Sequence, residues 1–126
     1  MKRVTGIGGI FFRARDPEAL YAWYERHLGL QKHPEGVTLK WKDEDPAREG
    51  QTVWAPFKAE TTYFGTGPQT FMVNFRVDDL EALLAALATE GVQIAPEREN
   101  ADYGRFAWIV DPEGNRIELW EPPRKP

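Results

Sequence analysis

Cysteine is absent from the 126 residues, which removes disulfides, thiolate nucleophiles and cysteine-based metal sites together and suits a reducing compartment such as the cytoplasm. Histidine occurs only twice, as His27 and His33. No apolar run approaches the roughly 18 residues that a membrane-spanning helix needs. The stretch Ile7 to Phe12 behind Lys2 and Arg3 is too short for a signal-peptide core, and no small-residue cleavage pattern follows it. Positive charge is neither in excess nor clustered: 16 Lys and Arg face 20 Asp and Glu, for a net charge of -4. That balance excludes a phosphate-backbone binder. The expectation is a soluble, unprocessed, cytoplasmic protein with neither nucleic acid nor membrane as a partner.

What is present is enough apolar material for a core, 41% hydrophobic and 13% aromatic, and an internal repeat. Phe12-Arg13-Ala14-Arg15-Asp16-Pro17-Glu18-Ala19-Leu20 returns 63 positions later as Phe75-Arg76-Val77-Asp78-Asp79-Leu80-Glu81-Ala82-Leu83, six of nine residues being identical. At an offset of 66, Asp45-Pro46, Trp54 and Pro56 recur as Asp111-Pro112, Trp120 and Pro122. A period of half the chain is too long for a solenoid, so a supersecondary unit is duplicated and its halves pair within one domain. The first module covers about residues 4–57, a linker about 58–69 and the second module about 70–122.

Each module reads as strand, helix and further strands. In the first, the strand formers Ile7 to Phe12 break at Asp16-Pro17, where Asp caps a helix and Pro occupies its first turn. The helix runs from about Pro17 to His27, with Leu20, Trp23, Tyr24 and Leu28 on one face and Gly29 as its left-handed stop. Strands follow at Gly36 to Lys42 and Gln51 to Pro56, around the turn-rich residues 43–50. In the second module Phe71, Val73, Phe75 and Val77 alternate as in a half-buried strand. Asp79 caps a helix from Leu80 to Thr89 that ends at Gly91, and strands cover about Val92 to Ile94, Arg105 to Val110 and Arg116 to Glu121. Asp111-Pro112-Glu113-Gly114-Asn115 is a hairpin turn with Gly at a positive-φ position.

The closing run Asp111-Pro112-Glu113-Gly114-Asn115-Arg116-Ile117-Glu118-Leu119, the helix exit Trp23-Tyr24-Glu25-Arg26-His27-Leu28-Gly29-Leu30 and the repeat together resemble the vicinal oxygen chelate superfamily, which includes glyoxalase I, bleomycin resistance proteins and extradiol dioxygenases. The resemblance spans nearly the whole chain. It implies an α+β fold of two tandem βαβββ modules, each curled into a half-barrel with its concave face toward the other, and a homodimer. It also implies four metal-ligand positions on the first and last strands of each module, which here read Gly9, Thr52, Met72 and Glu118. Gly has no donor, Thr is a weak ligand and the Met thioether is too soft for the ions of this family. A single carboxylate does not make a chelate. His27 at a helix end and His33 in the connection match no ligand position, so no metal and no cofactor are expected.

Alternation along the strands then sorts the faces. Phe71, Val73, Phe75 and Val77 face the helix, which leaves Met72, Asn74 and Arg76 on the cavity side and, through the repeat, Gly9, Phe11 and Arg13. On the closing strands Arg116, Glu118 and Trp120 face the cavity, with Thr52 and Trp54 as counterparts. The candidate ligand-binding residues are therefore Phe11, Arg13, Trp54, Met72, Asn74, Arg76, Arg116, Glu118 and Trp120: aromatic walls with a few polar anchors, as small-molecule sites require. Aromatics that merely fill a small half-barrel, and arginines paired with acidic neighbours, give the same composition. Glu118 reads as a structural partner of an arginine, a ligand anchor or a general base. Thr62-Tyr63-Phe64-Gly65 and Asp102-Tyr103-Gly104-Arg105-Phe106 read as lid loops or as ordinary turns. Gly6, Gly8 and Gly9 precede a strand and miss the spacing of a nucleotide-binding loop.

The function expected from these residues and this resemblance is metal-free binding of a small organic molecule, for sequestration as in bleomycin resistance proteins or for sensing. The alternatives are a glyoxalase-like lyase or isomerase with Glu118 as its base, and a structural or partner-binding module.

Overall fold

The computed structural model describes residues 7–34, 36–47 and 50–123. The expected start of the first module near residue 4, and Arg48 and Glu49 of its expected turn, lie outside them. Helix α1 (Pro17–Leu28) starts where the sequence places it: Asp16 Oδ1 accepts a hydrogen bond from the Ala19 N–H at 3.2 Å, Pro17 follows in the first turn, and Gly29 closes the helix with φ +73°. Helix α2 (Leu80–Thr89) repeats the device, Asp79 Oδ1 accepting from the Ala82 N–H at 3.1 Å. In both, the side-chain oxygen satisfies an amide that has no partner inside the helix.

The first half contributes two short strands, β1 (Lys32–His33) and β2 (Gly36–Val37), paired antiparallel. The second half contributes β3 (Val73–Arg76), β4 (Gln93–Ala101), β5 (Gly104–Val110) and β6 (Arg116–Glu121). These four form one sheet in the order β3-β6-β5-β4. Hairpins join β4 to β5 and β5 to β6, while α2 carries the chain over the sheet face from β3 to β4 at the opposite edge, so that β6 returns parallel to β3. In the β5–β6 turn the Gly114 N–H donates to the Asp111 carbonyl at 3.0 Å, and Gly114 takes φ +84°, a conformation that side chains rarely adopt.

Both helices cover one face of the sheet. Leu80, Leu84 and Leu87 of α2 pack on Ala107, Ile109, Ile117 and Leu119, and Trp23, Tyr24 and Leu28 of α1 pack against the same cluster. Phe75 and Val77 join it, as alternation requires. The opposite face carries Phe106, Trp108 and Trp120, with Met72, Ala95 and Tyr63 against them.

The first half departs from the expected module in its strands. Residues 7–14 and 50–57 have no regular secondary structure, and the expected strand from Gly36 to Lys42 shortens to Gly36–Val37 followed by a 3-10 turn at Trp41–Asp43. The physical reason lies in what a strand needs. β-propensity expresses packing on a pleated, half-buried surface, and here Ile10, Phe11, Val53 and Trp54 are all exposed, Phe11 by 93% and Trp54 by 79%. A helix closes its own hydrogen bonds, so α1 forms at its repeat position without that surface.

Candidate functional site

The face opposite the helices is organised by strand register. Asn74 of β3 pairs with Glu118 of β6, and Glu118 pairs with Trp108 of β5, so three side chains stand in one row across three strands. They are joined by hydrogen bonds: Asn74 Nδ2 donates to Glu118 Oε1 at 2.8 Å and Trp108 Nε1 donates to Glu118 Oε2 at 3.0 Å. A third donor arrives from the linker, the Tyr63 hydroxyl, 2.5 Å from Glu118 Oε2. Glu118 is only 7% exposed, and a buried carboxylate requires such donors to replace the water it loses.

Tyr63 answers to its surroundings. Burial first, and then the hydrogen bond and negative charge of Glu118, push its hydroxyl well above the ordinary phenol range, so it remains a protonated donor. Its ring meets Trp108 edge-on, centroids 5.9 Å apart, and stacks on Phe57 at 5.4 Å. Arg116 lies over the other ring of this wall, its guanidinium carbon 5.1 Å from the Trp108 centroid, and its Nε is buried without a hydrogen-bond partner. In the next row along the sheet Trp120 pairs with Arg76 of β3 and Phe106 of β5, its ring stacked on Phe106 at 6.1 Å and its Nε1 donating to the Tyr103 carbonyl at 2.8 Å.

Of the nine sequence candidates, Met72, Asn74, Arg116, Glu118 and Trp120 meet on this face. Arg76 does not join the cluster. Its guanidinium binds Glu44 at 2.6 and 3.0 Å and the Gln51 carbonyl at 2.7 Å, tying β3 to the first half of the chain. Phe11, Arg13 and Trp54 are exposed. Sequence reasoning kept Tyr63 only as part of a lid motif and left Trp108 out. Trp108 was within reach: Ala107 and Ile109 carry the helix-facing parity of β5, which sends Phe106 and Trp108 to the other face.

The donor set bears on metal binding. Every group directed at Glu118 is an N–H or O–H that points hydrogen at the carboxylate, whereas a divalent ion needs several lone pairs converging on one point. Among the described residues no group of three or more His, Asp and Glu converges to hold an ion. The residues present do not fit the metal centre of a vicinal oxygen chelate enzyme. The histidines serve elsewhere: His27 is largely buried against Trp23, and its Nδ1 lies 2.7 Å from Glu90 Oε1, joining the ends of α1 and α2. A surface concavity of about 450 Å³ between the β4–β5 turn and Pro122–Pro123 contains none of the aromatic cluster.

Comparison with known proteins agrees with this architecture. The antibiotic-binding protein TnmS3 from Streptomyces sp. CB03234 superposes with a TM-score of 0.61 at 22% identity, over 97% of this chain and 99% of that one. A member of the glyoxalase/bleomycin resistance protein/dioxygenase superfamily from Sphaerobacter thermophilus DSM 20745 gives 0.53 at 20% identity, over 86% and 90% of the two chains. A protein from the mobile metagenome of V. Pseudocholerae gives 0.56 at 17% identity, over 94% and 98%. At these identities the likeness establishes the fold alone. No curated protein matches. The sequence model of one family spans residues 6–119, ending on the last residue of the Asp-Pro-x-Gly-Asn-x-Ile-Glu-Leu run, and the chain belongs to that family, the Glyoxalase/Bleomycin resistance protein/Dioxygenase superfamily.

Proposed function

We propose that this protein binds a small organic molecule, without a metal, on the sheet face built around Glu118, and that it does so as a homodimer in which the second copy supplies the rest of the enclosure. The observation that carries the reading is the cross-strand row Asn74–Glu118–Trp108. It sets a buried carboxylate held by protein donors among aromatic walls, with Arg116, whose Nε is buried and unpaired, over the Trp108 ring. A few oriented polar groups within apolar walls are what a small-molecule site consists of. The antibiotic-binding description of TnmS3 supports the same reading.

The dimer is supported by the exposed Ile10, Phe11, Phe12, Val53, Trp54 and Phe57, strand-type sequence with no regular structure in the single chain. Apolar surface of that extent marks an interaction face, and partner strands would give it both hydrogen bonds and cover. Phe11 and Trp54 then become available as cavity walls. The enzyme alternative is less well supported, because three protein donors already stabilise the charged form of Glu118 and make it a weaker base, and no second acid-base group stands beside it in this cluster of donors.

The test is a titration of the protein with a panel of small aromatic compounds, followed by tryptophan fluorescence. A saturable change is expected for at least one compound, weakened about tenfold in Asn74→Ala, which removes one hydrogen bond from Glu118 on an exposed edge strand. No saturable change with any compound would refute the binding reading.

A further inference from the structure

The ring of Tyr63 lies against this face, at the carboxylate of Glu118. It lies between Phe57, stacked at 16°, and Trp108, met at 87°, and its hydroxyl occupies an acceptor position of Glu118. Residues 58–69, which carry it, contain neither helix nor strand. Their internal hydrogen bonds are few: the Thr61 N–H to the Lys58 carbonyl at 3.0 Å, the Gly65 N–H to the Thr62 carbonyl at 3.1 Å, and the Tyr63 N–H to Thr61 Oγ1 at 3.1 Å. Gly65 has φ +88°, and a Cβ there would sit 3.0 Å from Arg116 Cδ, so glycine lets the loop lie flat on the arginine stem. Gln69 anchors the end of the segment, its Nε2 donating to the Arg116 carbonyl at 3.2 Å and its Oε1 accepting from the Arg116 N–H at 3.1 Å, so the part that can lift is residues 61–65, which take part in no strand pairing of the sheet.

Without Tyr63, Glu118 keeps Asn74 and Trp108 as donors and loses the third. A buried carboxylate with an unfilled acceptor position selects a group that can donate. Because burial and the adjacent carboxylate keep the Tyr63 hydroxyl protonated, the group to be replaced is a neutral O–H.

We infer that Tyr63 is an internal stand-in for the ligand, and that the ligand is a planar hydroxyaromatic compound which displaces Tyr63 and donates its own hydroxyl to Glu118. The inference rests on the proposed small-molecule site and adds the ligand class and a self-occupied state that competes with it. Self-occupancy lowers apparent affinity by the fraction of molecules whose site is open, and removing the competing ring restores it.

The experiment compares 2-naphthol with its methyl ether, 2-methoxynaphthalene, by calorimetric titration of wild-type protein, Tyr63→Phe and Tyr63→Ala, with circular dichroism to verify the fold of each variant. Naphthol is expected to bind Tyr63→Ala about tenfold more tightly than wild type, and the ether to bind about tenfold more weakly than naphthol. A second measurement needs no variant: saturating wild-type protein with naphthol should accelerate hydrogen exchange at the amides of residues 61–65, the reverse of ordinary ligand protection. Equal affinity for naphthol and ether, or slower exchange in the loop, would overturn the inference while leaving small-molecule binding intact. If neither probe binds but other aromatic compounds do, the ligand class is wrong. If no compound binds in either titration, the binding reading falls with it.

Discussion

The carboxylate of Asp111 accepts four hydrogen bonds, from the Glu113 and Asn115 N–H groups, from Asn115 Nδ2 and from the Tyr24 hydroxyl, the last at 2.8 Å. The most family-specific stretch of the sequence is thus an architectural clasp: it forms the β5–β6 turn and ties α1 to it. Asp111→Ala should cost about 2–3 kcal/mol by stranding donors around a buried acceptor, measured as a lower urea midpoint with an unchanged slope. Tyr24 adds a pH dependence. Burial, then the charge and hydrogen bond of Asp111, raise its folded-state pKa above the ordinary phenol value of 10.0. A raised pKa stabilises the fold fully below the unfolded value, and that stability is lost as pH climbs beyond it. Alkaline unfolding should therefore begin above about pH 10, and Tyr24→Phe should flatten the stability profile there while lowering stability at neutral pH. An unchanged alkaline limb in that variant would refute the assignment.

At the level of elements, the helices are written in local chemistry. Asp16 with Pro17, Asp79, Gly29 and the leucine stripe of α2 are each legible because capping and amphipathicity act within a few residues. Leu87 is fully buried between α2 and the sheet, and Leu87→Ala should cost about 2–5 kcal/mol, read by thermal or urea unfolding. The docking of α1 has an acid-side signature. The Arg15 and Asp16 backbone N–H groups donate to Glu113, both at 2.9 Å, and hold its pKa below the ordinary carboxylate value. A depressed pKa stabilises above the unfolded value and ceases to do so as pH falls through the folded one. Glu113→Gln should remove part of the stability lost between neutral pH and pH 3, and an identical acid profile would contradict the contact. The strands of the first half were not legible in the same way. Phe11, Val53 and Trp54 carry the composition of strands, but a strand exists only against a neighbour, and nothing within the sequence of residues 7–14 or 50–57 states which neighbour that is.

For the whole molecule, alternation placed Met72, Asn74, Arg116, Glu118 and Trp120 correctly on one face, because parity along a strand is a local property. It could not supply the parallel pairing of β3 with β6 that sets Asn74 beside Glu118, nor the path of the linker that brings Tyr63 across more than fifty residues of sequence to the same carboxylate. Those depend on tertiary topology. At the same scale stands the proposal that two copies enclose a small organic molecule around Glu118. Native mass spectrometry of gently purified protein reads oligomer mass, bound metal and retained small molecules in one spectrum. The expected spectrum is that of a metal-free dimer able to carry an organic adduct, the adduct being lost or weakened in Asn74→Ala. A monomer that retains no added aromatic compound, or a species holding one divalent ion per chain, would contradict it.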